Sequence, residues 1–250
     1  MAGGVTPRGS TAQVCLVSEY TDGMIVPERL PDLPVPVDNA AACAVGRRVY
    51  VAGGNHDGVP SNALYVLNLD RLTDGWKRLR DFPGAPRTQP VMAASGDRLY
   101  VFGGFAAASQ GRDASLCTDG LVYDVRRGKW SRTAGPAGAD GREVSLGGGV
   151  AVTLADGRIA VAGGVDRDIF LEALRKQAPD YLTHPAEWYG FNRSVFVYSP
   201  ADNTWRLVAV RPDAARAGAS AVADGDGFIM LGGEIRPRIR TASAVRINIE

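Results

Sequence analysis

Apolar residues along this chain come in short alternating runs, not at helical spacing. Four runs share one form, an apolar stretch closed by a diglycine: RRVYVAGG (47–54), DRLYVFGG (97–104), GRIAVAGG (157–164) and GFIMLGG (227–233). Alternation over such lengths is the pattern of a half-buried strand. Companion runs precede these (AACAV, PVMAAS, GGVAVTL) and follow them (ALYVLNL, GLVYDV, SVFVYSP), and a stretch around Trp76, Trp130 or Trp205 ends three of the units. Four short strands in a repeat of roughly 50 residues predict an all-β propeller whose blades are small antiparallel sheets.

The repeat assigns jobs to particular residues. Glycine is wanted where the second strand ends, because neighbouring backbones come close there and positive φ is often needed. Tyr123 to Trp130 and Tyr198 to Trp205 are both seven apart, and Tyr65 to Trp76 is the same pair stretched by DRLTD. These aromatics are expected to fill the wedge between blades. One insertion, Asp166 to Asn192, breaks the rhythm: DIFLEALRKQAPDYL is helix-like until Pro179, and THPAEWYGFNR is aromatic and irregular. It reads equally as a cap over a blade edge and as a lid over a pocket.

At the ends the strands do not come out even. Met1 to Gly4 reads as the tail of a second strand, AQVCLVSEY as a third and MIVPERL as a fourth, whereas SAVRINIE is a third strand with no fourth after it. A single domain over 1–250 with about five blades is expected, the first and last incomplete. Either the N-terminal piece closes a five-bladed ring imperfectly, or ~70 residues precede it, by the arithmetic of a ~40–50-residue repeat plus two strands. Open sheet edges are a hazard that closed propellers avoid, which favours truncation.

Composition narrows the function classes. A formal net charge of +1, from 28 basic and 27 acidic residues, supplies no broad field for a phosphate backbone or anionic membrane, so neither nucleic acid nor membrane is an expected partner. No apolar stretch approaches the ~20 residues of a membrane span, and the start lacks a basic head followed by an apolar core. The expected location is cytoplasmic. Cys15, Cys43 and Cys117 are odd in number and never in a CxxC pair, and the histidines are His56 and His184. No metal site or cofactor is expected from such a set.

Antiparallel pairing puts the loop after each second strand, and the loop leading into each first strand, on one face of the disc. That face gathers Asn55, His56 and Asn62, Arg87 and Gln89, Asn192 and Arg193, and Glu234 with Arg240. A polar ring around a central cleft is a small-molecule site in outline, and Asn55, Arg87, Gln89, Asn192 and Arg193 are its candidate substrate contacts. Plainer readings stand beside these: Asn55 and Asn62 bond their own turns, His56 is solvated, and Arg87 pairs with a neighbouring carboxylate on the surface. Glu234 directly follows a diglycine, so its carboxylate is expected to face the axis, partly desolvated and suited to proton transfer. Arg240 lies past Pro237 and can grip a carboxylate through two parallel hydrogen bonds. The alternative for this pair is a surface ion pair.

The strings FPGAPRTQP, DRLYVFGG, GGVDRDIF, HPAEWYGFNRSVFVYSPADNTW and GGEIRPRIRT resemble, in order, the N-acetylneuraminate epimerases, or sialic acid mutarotases, of the kelch-propeller family, and within it the cyclically permuted branch. The resemblance runs from Leu33 to Thr241 and implies a six-bladed kelch propeller. It also implies an isomerase that interconverts the α and β anomers of free sialic acid without a cofactor. Carried onto these positions, Glu234 is the proton acceptor at the anomeric hydroxyl and Arg240 binds or polarises the sugar acid. A non-catalytic kelch scaffold that binds a protein through its loops is the competing class, and would show an exposed apolar patch on the loop face. A copper-radical oxidase on the same fold would need His and Tyr ligands that the chain does not supply.

Overall fold

A computed structural model describes residues 1–21, 24–108, 111, 113–138 and 140–249. Among them, three antiparallel sheets are complete with four strands each. The first contains Ala41–Val45, Arg48–Ala52, Leu64–Asn68 and Lys77–Arg78. The second contains Val91–Ser95, Arg98–Phe102, Gly120–Asp124 and Lys129–Thr133. The third contains Gly149–Thr153, Ile159–Gly163, Ser194–Ser199 and Thr204–Val210. A three-stranded sheet follows (Ser220–Asp224, Gly227–Leu231, Ala244–Asn248), and a two-stranded one precedes (Val14–Thr21, Met24–Leu30). Glu250, the last residue expected in the final strand, lies outside the described residues.

The first strands of successive sheets pack on one another and so line an axis, from which the later strands step outward in chain order. This is a kelch-type β-propeller. Its core lies between blades. Tyr50, Ala52 and Leu64 of the first complete blade meet Met92, Val101 and Leu121 of the second. On the other side of the second blade, Tyr100 and Phe102 meet Ile159, Val161 and Tyr198 of the third. The second strands of the three complete blades are thus covered on both faces, which is why these runs are so densely apolar.

The outer-strand tryptophans join each blade to the connection before it. Trp130 stands opposite Tyr123, and Trp205 opposite Tyr198. Their indole N–H groups donate to the carbonyls of Arg80 and Ala134, both at 2.8 Å. Trp76 bonds Pro31 in the same way at 2.8 Å. Tyr65, however, pairs with Arg78 and is not the counterpart of Tyr123. That register position, opposite the second residue of strand two, is held by Leu67. The short 3-10 turn at Leu72–Asp74 absorbs the extra residues, so Trp76 keeps its place while the aromatic partner is lost.

The diglycines sit where the sequence requires them. At Gly53, with φ +68°, an added Cβ would lie 2.8 Å from the Arg87 carbonyl oxygen, in the connection to the next blade. The insertion forms helix α1 (Arg167–Lys176) and a 3-10 turn (Ala186–Tyr189). The Asp166 carboxylate caps α1 by accepting from the N–H groups of Asp168 and Ile169, and Gln177 in left-handed conformation ends it before Pro179. Phe170 of α1 stacks edge-on against Phe105, with centroids 4.9 Å apart. At its other end the insertion's 3-10 turn rests on the strand Glu234–Arg236.

Candidate functional site

The loop face is built by a repeated backbone device. The carbonyl of each second glycine accepts from a residue just before strand three: Gly54 from Ser61, Gly104 from Cys117, Gly164 from Asn192 and Gly233 from Thr241. The residue after the diglycine pairs with the chain leading into that blade's first strand: Asn55 with Asp38, Phe105 with Thr88, and Glu234 with Ala217. The next residues, Asn39, Gln89, Gly148 and Gly218, all adopt positive φ. They also form a chain of hydrogen bonds from blade to blade, Gln89 N–H to Asn39 (2.7 Å), Gly148 to Gln89 (3.1 Å) and Gly218 to Gly148 (2.7 Å). Because these residues directly precede the axial strands, that chain rims the axis. Asn55, Phe105 and Glu234 are therefore equivalent positions on one face.

Glu234 and Arg240 are directly opposed in a small hairpin of Glu234–Arg236 and Ile239–Arg240. A bulge at Ile235 breaks the register, and Pro237 followed by Arg238 at φ +66° makes the turn. Directly opposed residues present their side chains on the same side of the sheet. The Arg240 Nη2 to Glu234 Oε1 separation is 3.6 Å, with the arginine side chain 70% and the glutamate 29% exposed. An exposed ion pair of this kind contributes ~0–1 kcal/mol. Arg240 can leave it at little cost and take a ligand carboxylate instead.

The other expected contacts divide. Gln89 is half-buried on the rim, its amide donating to Asn39 Oδ1 at 3.2 Å, and Arg193 is exposed at the start of a third strand. Asn55 lies on the face, but both ends of its amide are engaged: Nδ2 donates to Asp38 at 2.8 Å and Oδ1 accepts from the Thr88 hydroxyl at 2.6 Å. Asn192 donates to the Gly163 carbonyl (3.2 Å) and accepts from Ser194 N–H (3.0 Å), making the turn that begins strand three.

Arg87 corrects the expectation. It is 1% exposed and lies in the wall between blades. Its guanidinium donates to both Asp119 oxygens (2.8 and 3.2 Å) and to the Gly103 carbonyl (3.2 Å), and lies 5.3 Å from the Phe82 ring centre. Arg216 repeats the device, donating to the Gly232 carbonyl at 3.0 Å. Both arginines precede a first strand and fasten the first glycine of that blade's diglycine. Their matched places in FPGAPRTQP and AARAGAS carried the signal.

His56 is half-buried against Tyr65, and its Nε2 has no partner among the described residues. Burial, then the nearby Arg78 charge, hold its imidazole below the usual value, against the pull of Asp57, Asp81 and Asp38. Burial pushes the Cys43 thiol up to about 12, as befits a small apolar packing residue.

Two groups beside Glu234 were not expected from spacing. Arg236 donates to the His184 carbonyl at 2.9 Å, joining the Glu234–Arg240 hairpin to the insertion. Tyr181 packs in a cluster with Tyr189, Phe191 and Ala217, the last being the backbone partner of Glu234. Burial first, then the Tyr189 and Glu234 charges, push the Tyr181 hydroxyl up to about 12. Tyr181, His184 and Trp188 also border a cavity of about 380 Å³ against α1.

A family model for N-acetylneuraminate epimerase matches residues 30–250. The chain belongs to the N-acetylneuraminate epimerase family. It is 32% identical over 248 residues to the N-acetylneuraminate epimerase of Brucella melitensis, covering 92% of this chain and 61% of that protein. It is 33% identical over 233 residues to that of Yersinia enterocolitica, covering 86% of this chain and 56% of the relative. The solved structure of YjhT superposes with a TM-score of 0.74 at 27% identity, over 88% of this chain and 64% of that one. The chain thus spans less than two thirds of the length of these epimerases.

Proposed function

We propose that this protein is a cofactor-independent mutarotase that interconverts the anomers of free N-acetylneuraminate or a related sugar acid, and that residues 1–250 act as one propeller unit. The observation that carries this reading is the opposed Glu234–Arg240 pair, 3.6 Å apart on the axial face, with an exposed arginine over a partly buried carboxylate. Family membership supplies the substrate class.

Arg240 turns from Glu234 to the sugar's carboxylate and holds it through paired hydrogen bonds. Glu234 then takes the proton of the anomeric hydroxyl as the bond from the anomeric carbon to the ring oxygen breaks, and water gives the ring oxygen a proton. The product is an open chain with a free ketone. After rotation about the bond to the ketone carbon, the same hydroxyl attacks the other face, returns its proton to water, and Glu234 protonates the new anomeric oxygen. Gln89, on the rim, and Arg193, exposed at the start of a third strand, are the proposed contacts for the rest of the sugar. Asn55, Arg87 and Asn192 hold the frame.

The test is anomer exchange of the free acid followed by NMR. Added protein should raise the rate above its spontaneous value, and Glu234→Ala should remove ~10²–10⁴-fold of the gain, the worth of a positioned proton acceptor. Exchange unaffected by the unsubstituted protein would refute the enzyme reading and leave the scaffold reading, for which Glu234 is an ordinary surface group.

A further inference from the structure

The insertion touches two loop hairpins that belong to different blades. Phe170 of α1 rests on Phe105 of the second blade's hairpin, and the turn Ala186–Tyr189 rests on the strand that carries Glu234. A side-chain hydrogen bond crosses from the catalytic hairpin to the insertion, from Arg236 Nη1 to the His184 carbonyl at 2.9 Å. His184 is stacked on Trp188 at 3.8 Å, and Trp188 and Tyr189 each meet Tyr181 edge-on. The Tyr189 hydroxyl in turn donates to the Tyr181 carbonyl at 2.5 Å. Holding His184 therefore holds a chain of stacked rings, of which Tyr189 and Tyr181 share a cluster with Ala217, hydrogen-bonded in both directions to Glu234.

We propose that Arg236 is a positioning residue for the anomer exchange: it ties the insertion to the catalytic hairpin as an outer wall of the Glu234 site, and so holds the Tyr181 hydroxyl toward the bound sugar acid as a hydrogen-bond donor. The inference rests on the mutarotase reading and extends it to how the substrate is held. Two facts make Tyr181 suited to donate. Its ring is partly buried among other rings, which fixes its direction at little entropic cost. Its hydroxyl also keeps its proton throughout the neutral range, being pushed up by burial first and then by the Tyr189 and Glu234 charges. Arg236 itself lies two residues from Glu234, across the Ile235 bulge, so strut and base move together.

The experiment measures KM and kcat for anomer exchange in Arg236→Ala, Arg236→Lys, Tyr181→Phe and the double variant Arg236→Ala/Tyr181→Phe, with thermal melts alongside. One lost hydrogen bond to the sugar is worth roughly a two- to tenfold rise in KM. Tyr181→Phe should show that rise with kcat within about twofold, since the ring and its packing remain. Arg236→Ala should raise KM by a similar factor. Arg236→Lys should recover most of the loss, because an ammonium can donate the single bond to His184. The double variant should be no worse than the worse single one, as expected when one residue acts through the other. Additive losses, or a fall in melting temperature with KM unchanged, would overturn the proposal. If the unsubstituted protein shows no exchange, the functional reading itself fails; if exchange depends on Glu234 and is blind to Arg236 and Tyr181, only the present inference does.

Discussion

Asn55 and Glu234 occupy the same slot in two blades, directly after a diglycine and paired with the chain leading into their own first strand. Around Asn55 the neighbouring polar groups satisfy one another. Asp38, 7% exposed, accepts from Ser10, from Asn39 at 2.7 Å and from Asn55 at 2.8 Å, and Thr88 closes the other end of the Asn55 amide. Around Glu234 the equivalents of Asp38 and Asn39 are Ala217 and Gly218, which have nothing to donate or accept beyond the backbone. The carboxylate is left with an exposed arginine at 3.6 Å. One backbone position thus serves the scaffold in one blade and leaves its side chain open in another. What decides is the residue two or three places before the first strand, not the slot itself.

The largest test of that contrast is on the scaffold side. Arg87→Ala would leave Asp119 and the Gly103 carbonyl without their buried partner, beside the Thr88 that steadies Asn55. A loss of about 3–5 kcal/mol in urea unfolding is expected, with exchange per folded molecule little changed. A loss of exchange at full stability would show that Arg87 serves the ligand after all.

Asp38 gives the contrast a pH dependence. Burial alone would raise its pKa, yet the hydrogen bonds from Ser10, Asn55 and Asn39, with the His56 charge, outweigh it and the value falls below that of an ordinary carboxylate. A depressed folded value means that Asp38 stabilises the fold fully above the unfolded carboxylate value of about 3.9, and that this is lost as pH falls through the folded one. Urea midpoints taken from pH 5 downward should drop less steeply in Asp38→Asn than in the unsubstituted protein. Parallel curves would remove Asp38 from the account.

The smallest effect is expected at the open slot. Arg240→Lys keeps the charge and loses the planar fork, so KM for the sugar acid should rise about tenfold with stability unchanged. An unchanged KM would mean that Arg240 acts as a point charge only.

Much of the architecture could be read from the runs closed by diglycines, because both faces of the second strand are buried in the three complete blades and the backbone must bend sharply at Gly53, Gly103, Gly163 and Gly232. The Glu234–Arg240 pairing was legible too, from a diglycine followed by a proline turn. What resisted was the fate of polar side chains. Arg87 and Gln89 are two residues apart and would share a side in a regular strand, yet one is buried in a wall and the other lies on the rim, because the chain kinks at Gln89, which takes φ +51° just before the strand begins. Arg236 and Tyr181 escaped because their contacts, with His184 and with Ala217, depend on how an irregular insertion folds back onto a distant hairpin. No local period records such a contact.

The central claim, that the slot after Gly233 does chemistry while the same slot after Gly54 holds the fold, is tested most directly by the NMR anomer-exchange rate of Glu234→Gln set against Asn55→Ala at equal folded concentration. The account predicts exchange near the spontaneous rate for Glu234→Gln at unchanged melting temperature, and exchange near that of the unsubstituted protein for Asn55→Ala at a lowered one. Full exchange by Glu234→Gln would contradict it.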